Sequence, residues 1–259
     1  MVRNVASLVL VGVLAATLAT PAHAGTEPQP IREVVGGRLA PAGKFPWVVR
    51  LSVGCGGALT APRVVLTAGH CVDGSGDDKS IKVTAGTVDL RSPKALTARS
   101  ITVIRAVGFR DEVRGEDWAV IKLDRALDLP TLPLTKDDND RGVFVVMGWG
   151  QTRENALKQE RRLHYAKVPT VPDGQCVAEY EKAHVKLVPR ESICAGKSGI
   201  DTCQGDSGGP MAGKDAKGEW VQVGIVSWGL GCARPGYPGV YTQISTFRDE
   251  IRRAVRKLS

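Results

Sequence analysis

A serine set among glycines, Gly205-Asp206-Ser207-Gly208-Gly209-Pro210, is the stretch of this chain with the clearest chemical potential. Glycines let backbone approach a ligand closely and let peptide N–H groups turn toward it. Taken alone, the segment reads equally well as a glycine-rich turn with an incidental serine. Two other segments shift that balance. Thr67-Ala68-Gly69-His70-Cys71 offers an imidazole beside a cysteine able to anchor it, and Asp117-Trp118-Ala119-Val120-Ile121-Lys122-Leu123 sets a carboxylate at the mouth of an apolar strand. A hydroxyl attacks a carbonyl near neutral pH when a base takes its proton and an acidic group orients that base. Ser207, His70 and Asp117 supply those three parts.

The elements that must position them are short. Runs rich in β-branched residues, Trp47–Val53, Val64–Thr67, Ile81–Ala85, Ile101–Val107, Ala119–Leu123, Val143–Met147, Val221–Ser227 and Gly239–Ile244, alternate with Gly, Pro and Asp clusters. Many short strands with frequent turn signals predict barrels or sandwiches. A helical period stands out only at the end, where Phe247, Ile251, Val255 and Leu258 share a face and Thr246 with Asp249 reads as a capping box. That face is expected to pack on the body rather than on a membrane, because the opposite face carries ordinary solvated Arg and Lys. There is no sequence repeat.

Composition sets outer limits. The 259 residues are 42% hydrophobic and 24% charged, enough apolar surface to offset the entropy of ordering. The net charge of +8 comes from scattered basic residues with no run that interleaves with aromatics, so nucleic acid is not an expected partner. Arg3 precedes an apolar stretch from Val5 to Ala19 and then Pro21-Ala22-His23-Ala24, the pattern of a secretory signal cut after Ala24. That stretch is shorter than the roughly 20 residues of a membrane span, so export of a protein without a membrane anchor is expected. In an oxidising compartment the six cysteines read as pairs, and no Cys-x-x-Cys favours zinc. Spacing leaves all 15 pairings of six cysteines open.

These motifs together resemble the trypsin-like serine proteases of the chymotrypsin fold, most of all the secreted bacterial trypsins. The likeness runs from Val34 to the C-terminus through Val34-Val35-Gly36-Gly37, the His70 and Asp117 contexts, Gly148-Trp149-Gly150, the Ser207 hexapeptide and Ser227-Trp228-Gly229. It implies an all-β fold of two packed six-stranded antiparallel barrels, the first about residues 46–133 and the second about 134–245, with a C-terminal helix about 246–258 and the active site in the cleft between barrels. It further implies Ser207 as nucleophile, His70 as base and then acid, Asp117 as the group that orients the imidazole, and the N–H groups of Gly205 and Ser207 as an oxyanion hole. Ser227 would support Asp117 and, with Gly229 and Gly239, border the substrate pocket; Gln204 would lie at its entrance. The implied disulfides are Cys55–Cys71, Cys176–Cys194 and Cys203–Cys232. Gly69 departs from the usual alanine and is expected to loosen packing locally. His164 and His184 have no comparable context and read as surface histidines.

Substrate choice would rest on Asp201, six residues before Ser207. A carboxylate at the base of a narrow pocket is expensive to desolvate, and a cationic substrate side chain offsets that cost. Cleavage after Arg or Lys is the implied outcome, with proteinaceous serine-protease inhibitors as further partners and a monomer as the default state. A non-enzymatic binder on the same fold would typically lack one of the three catalytic residues. A broader protease would tolerate Asp201→Ser. By the same resemblance, residues 25–33 form a pro-peptide, and a new amine on Val34 pairs with Asp206. Glu33, not a basic residue, precedes Val34, so a cut after Arg32 would leave one residue too many and a second protease or trimming is expected. No cofactor is expected. Pro238 stands where sodium-activated relatives carry tyrosine, and no EF-hand-type carboxylate loop is present, so no metal is assigned.

Overall fold

Strands this short cannot bury an apolar face alone, and here they do so by closing into rings. The computed structural model describes residues 1–2, 35–138 and 140–259. Apart from the first two residues, the expected signal and pro-peptide, together with Val34, lie outside that set. The strands are β1 (Arg38–Leu39), β2 (Val48–Leu51), β3 (Gly56–Ala61), β4 (Val64–Thr67), β5 (Gly76–Asp77), β6 (Lys82–Ala85), β7 (Leu96–Arg105), β8 (Ala119–Leu123), β9 (Val143–Gly148), β10 (His164–Val171), β11 (Ser192–Ala195), β12 (Pro210–Lys214), β13 (Trp220–Trp228) and β14 (Gly239–Gln243). Two helices, α1 (Asp173–Lys182) and α2 (Ile244–Leu258), follow β10 and β14.

The first barrel runs β7-β6-β2-β3-β4-β8 and closes through β7–β8, with β5 added at the edge of β7. The second runs β10-β11-β14-β13-β12-β9 and closes through β10–β9, with β1 added at β10. Each ring therefore has six strands, and closure removes the open edges that invite aggregation. β1 precedes the first barrel in sequence yet pairs with the second, Arg38 opposite Tyr165, so the chain entry is tied to the second ring.

Val49, Leu51, Leu59, Leu66, Ile121 and Leu123 fill the first barrel with no exposed surface. Val146, Val168, Met211 and Tyr241 fill the second in the same way. Burying a side chain of this kind stabilises by about 1.5–3 kcal/mol. Met147, Trp149, Ala212 and Ile225 of the second barrel belong to the first barrel's cluster, so the two rings dock through continuous apolar packing.

Helix α2 lies against β8 and β13 and buries Ile244, Phe247, Ile251, Ala254 and Leu258. It starts two residues before the expected 246, because β14 runs directly into it. The expected capping box does not form: Gln243 is the extended N-cap, and the Thr246 hydroxyl donates to the Arg190 carbonyl at 2.5 Å. Helix α1 was not visible in the sequence pattern, since only Cys176 and Tyr180, one turn apart, are buried on it. Its anchor is covalent, the Cys176–Cys194 disulfide to β11. His164 corrects another expectation: it opens β10 opposite Gly148 and is 1% exposed, an interior histidine rather than a surface one. His184 is exposed.

Candidate active site

The loop that carries Ser207 is gripped by both barrels. Gly208 N–H donates to Val226 at 2.8 Å, and Val226 N–H returns a bond to Gly209 at 2.9 Å. From the first barrel, Gly56 N–H donates to the Ser207 carbonyl at 2.7 Å, while the Thr67 hydroxyl donates to the Gly56 carbonyl at 2.8 Å. Gly208 has φ +77°, and a Cβ there would fall 2.2 Å from Thr67 Oγ1 and 2.7 Å from the Gly56 carbonyl. Only glycine lets the two rings approach this closely.

His70 sits in a short helical turn, Gly69–Cys71, directly after β4, and the Cys55–Cys71 disulfide pins that turn to β3's entry. Asp117 lies just before β8, which pairs with β4, so sheet register brings the two residues together. One carboxylate oxygen accepts the His70 backbone N–H at 2.8 Å and the other meets His70 Nδ1 at 2.8 Å. The Ser227 hydroxyl donates to the second oxygen at 2.5 Å, and the Thr242 hydroxyl donates to the Asp117 carbonyl at 2.8 Å. Asp117 is 1% exposed, so every one of these bonds acts in a low-dielectric setting. This geometry holds the imidazole by Nδ1 and leaves Nε2 to face the cleft. Burial works to depress the His70 pKa, but the hydrogen bond and charge of Asp117, helped by Glu112, outweigh it and raise the pKa above the ordinary value.

Ser207 lines the same cleft as His70. Among the described residues no hydrogen bond joins the Ser207 hydroxyl to the imidazole, a contact that commonly tightens only in the substrate complex. The backbone N–H groups of Gly205 and Ser207 find no acceptor among the described residues, so both remain available as donors. The cleft deepens into a cavity of about 210 Å³ whose lining includes Asp201, Ser227, Trp228, Gly229 and Gly239. Gln204, exposed, stands at its rim, and the Cys203–Cys232 disulfide ties one wall to the other. A Cβ on Gly239 would lie 2.5 Å from Asp201 Oδ1, and one on Gly229 would lie 3.7 Å from Gly239 Cα. Both glycines keep the way to Asp201 clear.

Asp201 is 3% exposed, and burial pushes its pKa up to about 7 against the opposing bonds from Thr202 N–H and the Tyr241 hydroxyl. Asp206, beside it in the chain of buried acids, is raised to about 6 by burial although Cys203 N–H, Gly150 N–H and the charge of Arg50 favour its ionised form. The described residues contain one grouping with metal-ligand proximity, Cys55, His70 and Cys71. Both sulfurs are spent in a disulfide, so the thiolates a metal would need are absent.

The trypsin family model matches residues 34–251. A trypsin-like protease of Streptomyces glaucescens is 51% identical over 228 residues, which is 87% of this chain and 83% of that protein. The chain belongs to the trypsin family. A trypsin of Saccharopolyspora erythraea is 34% identical over 84% of this chain and 96% of its own length, and a mouse (Mus musculus) tryptase is 33% identical over 93% and 95%. This member of the trypsin family is therefore a serine endopeptidase acting on polypeptides.

Several groups at this trypsin-family site had no signal in the sequence. Glu112 lines the cleft beside His70, Thr242 holds the Asp117 carbonyl, and Tyr241 reaches Asp201 from β14. Each lies in an unremarkable local context and meets its partner only through the closed barrels. Gly69 corrects an expectation too. A methyl there would sit 3.1 Å from the Phe109 ring and 3.2 Å from Asp117 Oδ1, so the space is filled rather than loose.

Proposed function

We propose that this endopeptidase cleaves polypeptides on the carboxyl side of Arg and Lys, with Ser207, His70 and Asp117 as its catalytic residues. Ser207 Oγ forms a bond to the scissile carbonyl carbon while its proton passes to His70 Nε2. Gly205 and Ser207 N–H groups receive the developing oxyanion. The C–N bond then breaks and His70 gives the proton to the leaving amine. Water next adds to the acyl carbon as its proton passes to His70, the C–Oγ bond breaks, and Ser207 Oγ takes the proton back as the acid product leaves. The observation that carries the specificity is Asp201, a nearly buried carboxylate at the end of a cavity kept open by Gly229 and Gly239. A guanidinium or ammonium fits that carboxylate, arginine with the option of two parallel bonds. Proteinaceous inhibitors that present the same side chain would occupy the same cavity. Cleavage-site profiling with a random peptide library tests the reading. Cuts confined to Arg and Lys support it, and cuts after aromatic or small residues would sink it.

His70 must be neutral to accept the serine proton, so the free enzyme is expected to become competent as pH rises through an imidazole midpoint above the ordinary value of about 6.5. Glu112→Gln removes one of the charges that raise it, and the midpoint should move down, measured by NMR titration of the His70 imidazole in the free enzyme. An unmoved midpoint would mean that Glu112 does not act on the imidazole.

Export and activation complete the proposal. The leader pattern of residues 1–24 directs secretion, and cleavage after Glu33 frees the Val34 amine to pair with Asp206. Support comes from the buried Asp206 carboxyl: burial raises its pKa, and a nearby ammonium would stabilise its ionised form. Val35, next to the expected new terminus, is already tied by its carbonyl to Asp201 N–H at 3.1 Å. Mass analysis of secreted active protein should find Val34 first. A fully active form beginning at Glu33 would refute this step.

A further inference from the structure

Gly205 is held in an unusual conformation by a residue of the other barrel. Its φ is +97°, and each neighbouring peptide is fixed by a bond outside the glycine itself. The Gln204 carbonyl accepts from Gln151 N–H at 2.8 Å, and Asp206 N–H donates to Cys203 at 2.9 Å. The Gly205 carbonyl accepts from Arg50 Nη1 at 2.7 Å. Arg50 stands on β2 directly opposite Gly56 of β3, the residue whose N–H takes the Ser207 carbonyl. Two paired positions of the first barrel thus hold the Gly205 and Ser207 carbonyls. The amides proposed as oxyanion donors belong to the preceding peptides, whose Gln204 and Asp206 carbonyls accept from Gln151 N–H at 2.8 Å and Gly209 N–H at 2.9 Å. Arg50 therefore acts on the Gly205 N–H by fixing the peptide on the other side of the glycine.

Arg50 is itself held. Its second guanidinium nitrogen donates to Gln159 Oε1, and the Gln159 amide nitrogen reaches the Gly54 carbonyl at 3.4 Å. We infer that Arg50, braced by Gln159, is a positioning residue that keeps the Gly205 N–H aimed at the oxyanion and makes this donor depend on the docking of the two barrels. The inference rests on the proposed use of Gly205 and Ser207 as oxyanion donors. Its chemistry is that of a fork: a guanidinium can bond a carbonyl and an amide oxygen at once, whereas an ammonium lacks that planar geometry. Arg50 is half-buried, and that burial lowers its pKa, partly offset by the Asp206 charge.

The test compares two ligands that use the site differently. Benzamidine fills the cavity over Asp201 without needing an oxyanion donor, whereas a peptidyl-arginine aldehyde adds to Ser207 and places its oxygen there. Arg50→Met is expected to lower kcat on an arginine amide at least about tenfold, toward the ~10²–10³-fold cost of deleting a donor outright. Aldehyde affinity should fall in proportion while the benzamidine Ki and the KM stay within twofold. Arg50→Lys should restore only part of kcat, and Gln159→Leu, altered at an exposed position, should show the same pattern more weakly. Unchanged kcat in Arg50→Met and Gln159→Leu, or equal losses of aldehyde and benzamidine binding, would overturn the inference. A wild-type enzyme indistinguishable from Ser207→Ala would instead overturn the catalytic reading beneath it.

Discussion

Ser207→Ala and His70→Ala are each expected to reduce kcat on an arginine amide by about 10⁶-fold, and the double variant no further. The reason is that the two act as one device: a hydroxyl without its base and a base without its hydroxyl are equally idle. Asp117→Asn should cost less, about 10⁴-fold, because it leaves nucleophile and base in place but presents the wrong hydrogen-bonding group to His70 Nδ1. The structure sharpens that expectation. Asp117 accepts the His70 backbone N–H, His70 Nδ1 and the Ser227 hydroxyl, so an amide nitrogen at either position would face a donor. Some turnover should survive in all three single variants, since the Gly205 and Ser207 amides proposed as oxyanion donors are left in place. Single-turnover kinetics at known protein concentration measures these losses. Losses that multiply in the double variant would show that Ser207 and His70 work independently, which the shared cleft argues against.

What the sequence disclosed follows from where each residue finds its partner. β4, β8 and β9 read clearly because they are β-branched runs buried along nearly their whole length. β3 (Gly-Gly-Ala-Leu-Thr-Ala) and β12 (Pro-Met-Ala-Gly-Lys) gave no strand signal, since the first is mostly small residues and the second opens on proline and has no β-branched residue. The smallness of β3 has a cause at the site: a Cβ on Gly56 would meet Gly209 at 3.2 Å, and one on Gly57 would meet Val65 at 2.7 Å. Strand β10 was hidden by Pro169 within it and β11 (Ser-Ile-Cys-Ala) by having a single β-branched residue. The same logic separates legible from illegible site residues. His70, Asp117 and Ser207 carry local contexts that announce them, a disulfide neighbour, a strand mouth and a glycine loop. Arg50, Glu112 and Thr242 carry none, because their contacts reach partners 155, 42 and 125 residues away, and only ring closure brings those together.

Asp201→Ser should cut kcat/KM on arginine and lysine substrates by about 30- to several-thousand-fold, the equivalent of the roughly 2–5 kcal/mol lost when one partner of a buried, hydrogen-bonded charge pair is truncated. The substrate cation would then enter the cavity with no carboxylate to meet it. The pH dependence of binding gives an independent check on the same group. Burial raises Asp201 to about 7, so below that pH the empty cavity holds a protonated acid, and above it a carboxylate. A cation binds the carboxylate, so it must displace a proton at low pH. Benzamidine affinity should therefore weaken about tenfold for each pH unit below 7 and level off above it. Measuring this in His70→Ala keeps the imidazole from contributing to the slope. Calorimetry in buffers of different ionisation enthalpy should register one proton released per benzamidine bound at pH 5.5, and none in Asp201→Ser. Affinity that stays flat from pH 5 to 8 would mean that Asp201 is already ionised before the ligand arrives, and the desolvation argument for basic-residue specificity would then have to give way to one of shape.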